Sequence, residues 1–213
     1  MVKINKFVFN PFSENTYLVV NDISGQVLII DPGCSNKKEE NNLKEFIYGN
    51  KLKPELIINT HCHIDHIIGN AFVKDEFKID LLSPEEDVFL INTMEDQAAL
   101  FGLKIKKSPY PDKYLTENTI LSFGGVEIKL LHTPGHSPGG YCIYFPEDKI
   151  CITGDTLFKE TIGRTDLYKG DYNTLILSIR DKLFLLPDEV IIYPGHGEES
   201  TIGYEKKHNQ FLI

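Results

Sequence analysis

The order of the elements predicted from the sequence indicates an α/β (α+β) protein in which two β-sheets pack together with helices outside. Each half of the chain begins with strands and continues with a helix, an order that lets each sheet bury one face. In each half, a short apolar run that predicts a strand also ends a few residues before a histidine. Residues 56–58 precede His61, and residues 190–192 precede His196. No linker or low-complexity segment interrupts the chain, so we expect a single domain over residues 1–213.

The first half of the chain predicts an antiparallel meander followed by helices and short strands. Alternating apolar residues predict strands at 3–9, 15–20 and 26–31, with a turn at 21–25. The charged amphipathic segment 35–48 predicts a helix that Gly49 and Asn50 end. The other elements expected here are a buried strand at 56–59, a short helix through 71–73, a strand at 79–82 and a helix at 84–101.

The second half predicts mostly strands, after a basic loop at 104–111 that proline residues punctuate. Gly124 and Gly125 form one of the turns between these strands. The expected elements are strands at 119–123, 126–132, 140–145 and 149–153, a helix at 172–185 and a final strand at 189–193.

Composition excludes several classes of protein. The formal net charge of −9 argues against non-specific binding to nucleic acid. No apolar stretch approaches membrane length and the first residues lack a signal-peptide core, so we expect a cytoplasmic protein with no membrane partner. The four cysteines form no C-x-x-C pair, which favours reduced, buried thiols over a disulfide framework. A monomer and a homodimer both remain open.

The densest chemical signal is the motif His61-x-His63-x-Asp65-His66. If the segment is extended, His61, His63 and Asp65 face one side, Cys62 faces the other, and His66 turns in from the next position. Imidazole nitrogen and carboxylate oxygen are the ligands that zinc and similar divalent ions prefer. The motif therefore predicts a metal site, and Cys62 is expected to be a core thiol.

Three further segments place a candidate ligand directly after a predicted strand. His136 follows Thr133-Pro134-Gly135, Asp155 follows Thr153-Gly154, and His196 follows Pro194-Gly195. The complete candidate set is His61, His63, Asp65, His66, His136, Asp155 and His196. Seven ligands exceed the needs of one tetrahedral ion and suit a pair of ions that share a carboxylate.

The spacing and context of these residues resemble those of the metallo-β-lactamase superfamily. Its glyoxalase II branch, the hydroxyacylglutathione hydrolases, is the most similar, in a short form without the C-terminal helical domain. The resemblance implies a four-layer αβ/βα sandwich of two mixed β-sheets flanked by helices. It rests also on the segments at 30–33, 133–139, 154–158, 162–166 and 203–205.

By this resemblance, the chain uses two divalent metal ions, with zinc expected first and iron or manganese as alternatives. The implied ligands are His61, His63 and His136 for the first ion, Asp65, His66 and His196 for the second, and Asp155 as the bridge. Asp65 and Asp155 are the implied catalytic residues, Asp65 by orienting a metal-bound hydroxide. Asp31 is expected to brace the site rather than to bind metal.

The implied reaction is the hydrolysis of a small thioester by this hydroxide, with an acyl-glutathione such as S-lactoylglutathione as the expected substrate. Arg164 and Tyr168 are candidate substrate contacts, although Arg164 is equally able to pair with Asp166 or Asp171 on the surface. β-Lactamases of this fold usually have cysteine where this chain has Asp155, which disfavours antibiotic hydrolysis. The alternatives are an iron-dependent persulfide dioxygenase, whose Gly-Arg-Thr-Asp segment resembles residues 163–166, and a lactonase.

Overall fold

The computed structural model describes residues 1–121 and 123–213. The chain divides into two compact units, which are described separately: unit 1 comprises residues 1–115 with 123–126, and unit 2 comprises residues 116–121 with 127–213. Among the described residues, no helix is long and apolar enough to cross a membrane.

Unit 1 is built on a six-stranded mixed sheet. Its first three strands are antiparallel, and the others continue the sheet in parallel in the order β1-β2-β3-β4-β5-β6. The strands are β1 (Val2–Phe9), β2 (Glu14–Asn21), β3 (Gln26–Ile30), β4 (Lys53–Ile58), β5 (Asp80–Pro84) and β6 (Lys113–Leu115). Because β3 and β4 are parallel and pair Ile30 with Ile58, the residues that follow them emerge at one sheet edge.

Five helices accompany this sheet among the described residues of unit 1. They are α1 (Lys37–Gly49), α2 (Ile64–Ile67), α3 (Asn70–Phe77), α4 (Val88–Asn92) and α5 (Met94–Leu100). Helix α1 begins where the Asn36 side chain accepts hydrogen bonds from the backbone N–H groups of Lys38 and Glu39. Its buried Leu43 and Ile47 pack in one cluster with β-strand residues, whereas α2, α4 and α5 share a second apolar cluster.

Unit 2 contains a five-stranded mixed sheet of order β13-β12-β9-β8-β7 and a separate two-stranded hairpin. The strands are β7 (Lys129–His132), β8 (Tyr141–Phe145), β9 (Ile150–Gly154), β10 (Leu157–Phe158), β11 (Thr161–Ile162), β12 (Ile191–Pro194) and β13 (Ser200–Thr201). Strands β9 and β12 are parallel, with Gly154 opposite Pro194, so that both strands deliver their next residues to the same edge. The buried cluster of this unit joins the sheet to α6 (Tyr172–Ser178) and α7 (Ile202–His208).

The prediction of a mixed α/β protein with two mixed sheets and helices is confirmed. The four cysteines are free and buried, as expected.

The helix predicted at 84–101 is wrong as one continuous element. Pro84 ends β5, a 3₁₀ turn covers Glu85–Asp87, and α4 and α5 are separated at Thr93. The Thr93 hydroxyl donates to the backbone carbonyl of Phe89 at 3.1 Å, and a side chain that bonds back in this way interrupts regular helix geometry.

The strand predicted at 119–123 is also wrong where the structure describes it, because residues 119–121 and 123 are not in a strand; residue 122 lies outside the described part of the chain. The Thr119 side chain instead accepts from the backbone N–H of Thr116 and forms a turn. The strand predicted at 126–132 begins only at Lys129, which pairs with Tyr144 of β8.

The helix predicted at 172–185 begins as expected and changes to wider π-type turns at Ile179–Leu183. Four short strands, β6, β10, β11 and β13, were not predicted, and neither was α7. Thr201 caps α7 by accepting from the Tyr204 N–H at 3.1 Å, a threonine cap that is visible in the sequence.

Candidate metal centre

The histidine motif of unit 1 follows β4 at the edge where β3 also ends. It is not extended throughout, because α2 begins at Ile64 and places Asp65 and His66 in a helical turn. The alternation predicted for His61, His63 and Asp65 therefore does not extend to Asp65. The imidazole rings of His61 and His66 have centroids 4.1 Å apart, and those of His61 and His63 are 4.9 Å apart.

The Asp31 carboxylate forms hydrogen bonds with both Thr60 and His66. One carboxylate oxygen accepts from the Thr60 N–H at 2.7 Å, and the other accepts from the Thr60 hydroxyl at 2.6 Å. The second oxygen also lies 3.0 Å from Nδ1 of His66. The side chain is buried, and both of its oxygens are engaged by these contacts.

This network determines which nitrogen of each imidazole carries hydrogen. A carboxylate only accepts, so Nδ1 of His66 donates to Asp31. The Thr60 hydroxyl gives its one hydrogen to Asp31 and therefore accepts from Nδ1 of His61 at 3.1 Å. In the neutral form, both imidazoles therefore carry their lone pair on Nε2, which is the form that metal coordination requires. This donor set fits a divalent metal ion.

Asp65 is held by its backbone as well as by its position in α2. Its carbonyl accepts from the side-chain amide of Asn10 at 3.0 Å, and its carboxylate lies 3.8 Å from Nε2 of His66. Asn10 has a positive φ of 52°, and its amide also donates to the Gly33 carbonyl. Asn10 was not predicted as part of the site, because nothing in the chain near residue 10 signals a partner 55 residues away.

Unit 2 brings together the other three candidate ligands. One oxygen of Asp155 lies 3.5 Å from Nε2 of His136 and 3.6 Å from Nε2 of His196. Nδ1 of His136 donates to the backbone carbonyl of Arg164 at 2.8 Å, which again leaves the Nε2 lone pair for a metal ion. A carboxylate oxygen between two imidazole nitrogens is the arrangement expected of a shared metal ligand.

Two glycines allow the close approaches that form this half of the site. Gly135 has a φ of +134°, and a Cβ there would lie 2.4 Å from the backbone of Leu175 in α6. A Cβ on Gly163 would lie 1.8 Å from the Asp155 carbonyl oxygen. Larger residues at either position would displace the turn that carries His136 or Asp155.

The remaining candidates lie outside these two groups. Arg164 forms a bidentate ion pair with Asp166 at 2.7 and 2.8 Å, and this exposed pair lowers the pKa of Asp166 to about 2. Tyr168 is exposed, with the Lys169 ammonium 5.6 Å from its ring centroid. Cys62 packs in the apolar cluster of α2, and burial raises the pKa of its thiol well above the ordinary value, as expected of a core cysteine.

Glu14 is a buried acid of unit 1 that the sequence analysis did not identify, and it leads to a pH prediction. Burial raises the pKa of Glu14 well above its ordinary value of 4.5. The native protein therefore keeps a proton that the unfolded chain releases, so the stability associated with Glu14 is complete below pH 4.5 and is lost as the pH rises toward the native pKa.

Glu14→Gln removes this titration. We expect the free energy of unfolding of the variant, relative to wild type, to increase from about pH 5 to about pH 7, by at most about 1.4 kcal/mol per pH unit. Denaturant titrations of both metal-free proteins measure this difference, and a difference that does not change with pH would contradict the prediction.

Comparison with known proteins gives matches over nearly the whole chain. The family model for the metallo-beta-lactamase superfamily matches residues 9–196. Hydroxyacylglutathione hydrolase GloC of Haemophilus influenzae is 39% identical over 203 residues, which cover 94% of this chain and 93% of that protein.

Two solved structures extend the similarity to the fold. The crystal structure of BLEG-1 B3 metallo-beta-lactamase has a TM-score of 0.90 and 33% identity, and the match covers 99% of each chain. The crystal structure of TTHA1623 in a di-iron-bound form has a TM-score of 0.87 and 34% identity, over 98% of this chain and 100% of that one.

Proposed function

The chain belongs to the metallo-β-lactamase superfamily, and from this membership we propose that it is a metal-dependent hydrolase of a small thioester. The observation that carries the proposal is the donor set, in which Nδ1 of His61, His66 and His136 is engaged in a hydrogen bond, so that Nε2 is the nitrogen that each neutral imidazole can offer to a metal ion. The family match spans residues from both units, which supports the further proposal that residues 1–213 act as one domain.

We assign the metal ligands as the family resemblance implies. The proposed set is His61, His63, Asp65, His66, His136, Asp155 and His196. A relative crystallised in a di-iron-bound form supports two ions, and zinc, iron and manganese all accept imidazole and carboxylate ligands. Zinc is the ion that we propose first.

When bound, a pair of divalent ions lowers the pKa of a water molecule and polarises the carbonyl group that the water attacks. The chain holds the donor atoms for this chemistry. Asp31 and Thr60 fix the imidazoles of unit 1, and the Arg164 carbonyl fixes His136. We assign to Asp65 the orientation of the attacking water, since Asn10 anchors its backbone.

The proposed substrate is an acyl-glutathione such as S-lactoylglutathione. The identity with a hydroxyacylglutathione hydrolase supports this choice. A thiolate is a stable leaving group at neutral pH, so the reaction needs no strong general acid. Thioester hydrolysis therefore matches a site whose described polar groups are mainly metal-type ligands.

The test of the proposal combines elemental analysis with substrate assays on the purified full chain. Cleavage of S-lactoylglutathione without oxygen, with about two metal ions per chain, is the expected result. Oxygen uptake on glutathione persulfide with one iron per chain would overturn it in favour of a dioxygenase. Because a B3 metallo-beta-lactamase is among the similar structures, a β-lactam belongs in the same assay, and turnover of the β-lactam alone would also overturn the proposal.

Arg164→Ala separates substrate binding from metal binding. The Arg164 backbone carbonyl, which remains in the variant, holds His136, whereas the guanidinium forms a bidentate pair with Asp166. If the guanidinium binds a substrate carboxylate, KM should rise roughly tenfold while kcat and metal content stay close to wild type. Steady-state kinetics on S-lactoylglutathione, with metal analysis of the same samples, measure all three.

Arg164→Lys is the matched control for this prediction. Lysine keeps the charge but loses the two parallel hydrogen bonds, so its KM should lie between those of wild type and Arg164→Ala. A fall in kcat at unchanged KM would assign Arg164 to the transition state instead.

A further inference from the structure

Glu14 is an acid in an unusual position, at the start of β2 and fully buried. One of its carboxyl oxygens, Oε1, has no hydrogen-bond partner among residues 1–121 and 123–213. The other, Oε2, lies 2.9 Å from the Thr16 hydroxyl. A buried carboxyl group with one unpartnered oxygen is costly, so its single polar contact calls for an explanation.

The Thr16 hydroxyl connects Glu14 to the turn that follows β3. It lies 2.8 Å from the carbonyl oxygen of Asp31 and accepts from the Gly33 N–H at 2.8 Å. A hydroxyl has one hydrogen and can accept two. All three contacts are satisfied together when protonated Glu14 donates to Thr16 and Thr16 donates to Asp31.

The backbone around Gly33 leaves room for this acid. A Cβ on Gly33 would lie 1.9 Å from Oε2 of Glu14 and 2.7 Å from the side-chain nitrogen of Asn10. Any side chain at position 33 would therefore push the Glu14 carboxyl group away from Thr16. Burial, which raises the pKa of Glu14, keeps the group in the neutral form that can donate.

The turn that Thr16 holds contains Asp31, whose carboxylate contacts the histidine motif. Asp31 has a φ of +48°, in the left-handed region that aspartate and asparagine enter more readily than most other non-glycine residues. Its carbonyl is fixed by Thr16 and its N–H by the Ile58 carbonyl at 3.0 Å. With both backbone groups held, the Asp31 carboxylate is directed at Thr60 and His66.

We propose that Glu14 is a positioning residue, which acts through the Thr16 hydroxyl to hold the Asp31 turn and so fixes the orientation and tautomer of His66. Every contact in this chain of hydrogen bonds lies within unit 1. Its consequence for metal affinity rests on the proposed function, whereas its consequence for the His66 tautomer does not.

The test measures His66 directly by ¹⁵N NMR of the full-length, histidine-labelled protein without metal, and then measures Zn²⁺ affinity by chelator competition. Glu14→Gln keeps a neutral donor that reaches Thr16, and we expect it to retain the wild-type signal of an Nδ1–H, Nε2-lone-pair imidazole. Glu14→Ala should give a mixture of tautomers and lower Zn²⁺ affinity by about 10- to 100-fold.

The Thr16 variants test whether Glu14 acts through the Thr16 hydroxyl. Thr16→Val should reproduce the Glu14→Ala changes, Thr16→Ser should not, and the Glu14→Ala/Thr16→Val double variant should be no worse than either single variant. If Glu14→Ala fails to fold, the variants Glu14→Gln, Thr16→Val and Thr16→Ser still test the proposal. A wild-type His66 signal in Thr16→Val, or a mixed signal in Glu14→Gln, would overturn the proposal. Wild-type protein that binds no Zn²⁺ would contradict the proposed function alone, because the tautomer measurement needs no metal.

Discussion

Asp155→Ala is expected to reduce kcat for thioester hydrolysis by roughly 100- to 1,000-fold, since it removes the one carboxylate that lies between two candidate imidazole ligands. Oδ2 of Asp155 is within 3.6 Å of Nε2 on both His136 and His196. In the proposed two-ion site Asp155 would be the shared ligand, so its loss would leave the two positive charges without the group that offsets their repulsion. The metal content of the variant should fall along with kcat.

The fold should survive this substitution. Asp155 lies after the end of β9 and does not belong to the apolar cluster of unit 2. Circular dichroism and thermal unfolding check this point. Asp188→Ala is the matched control in the same unit, since it removes only an exposed ion pair with Lys206 and should leave kcat unchanged. Wild-type kcat in Asp155→Ala would exclude Asp155 from the metal centre.

The positions of the candidate ligands were predictable because they depend on local patterns and one geometric rule. Short apolar runs ending at His61 and His196 predict strands, and parallel neighbours deliver their next residues to one edge. The structure has that arrangement twice, for β3 with β4 and for β9 with β12. Asp31-Pro32-Gly33 was likewise recognisable as a turn at the end of a strand.

The residues that support the ligands were not predictable, because their partners are distant in sequence. Glu14 looks like a polar residue at a strand end, and its burial becomes evident only when β2 pairs with β3 and brings Thr16 to the Asp31 turn. Thr93 was missed for a different reason. The buried residues of α4 and α5 keep a helical period across it, so the pattern predicts one helix although the backbone at Thr93 departs from helical geometry, with a φ of −96° and a ψ of 5°.

Asp31→Asn is expected to lower metal affinity by about 10- to 100-fold or more with little change in shape. Asparagine tolerates the positive φ of residue 31, so the turn should remain. Its carbonyl oxygen can still accept from the Thr60 N–H. Its amide nitrogen, however, replaces the oxygen that accepts from both the Thr60 hydroxyl and Nδ1 of His66.

The Thr60 hydroxyl and Nδ1 of His66, which both donate to the wild-type carboxylate, then face an amide nitrogen that is also a donor. This conflict is removed most simply if the His66 hydrogen moves from Nδ1 to Nε2, so that Nδ1 accepts. That tautomer has no lone pair on Nε2, so the expected loss arises from the wrong protonation pattern rather than from a cavity. Zn²⁺ competition and ¹⁵N NMR of His66 should change together. Asp87→Asn is the matched control, because buried Asp87 accepts from the Cys62 N–H at 3.1 Å and asparagine can still accept there. If Asp31→Asn binds Zn²⁺ as tightly as wild type does, Asp31 does not control His66, and Glu14 cannot act on His66 through Asp31.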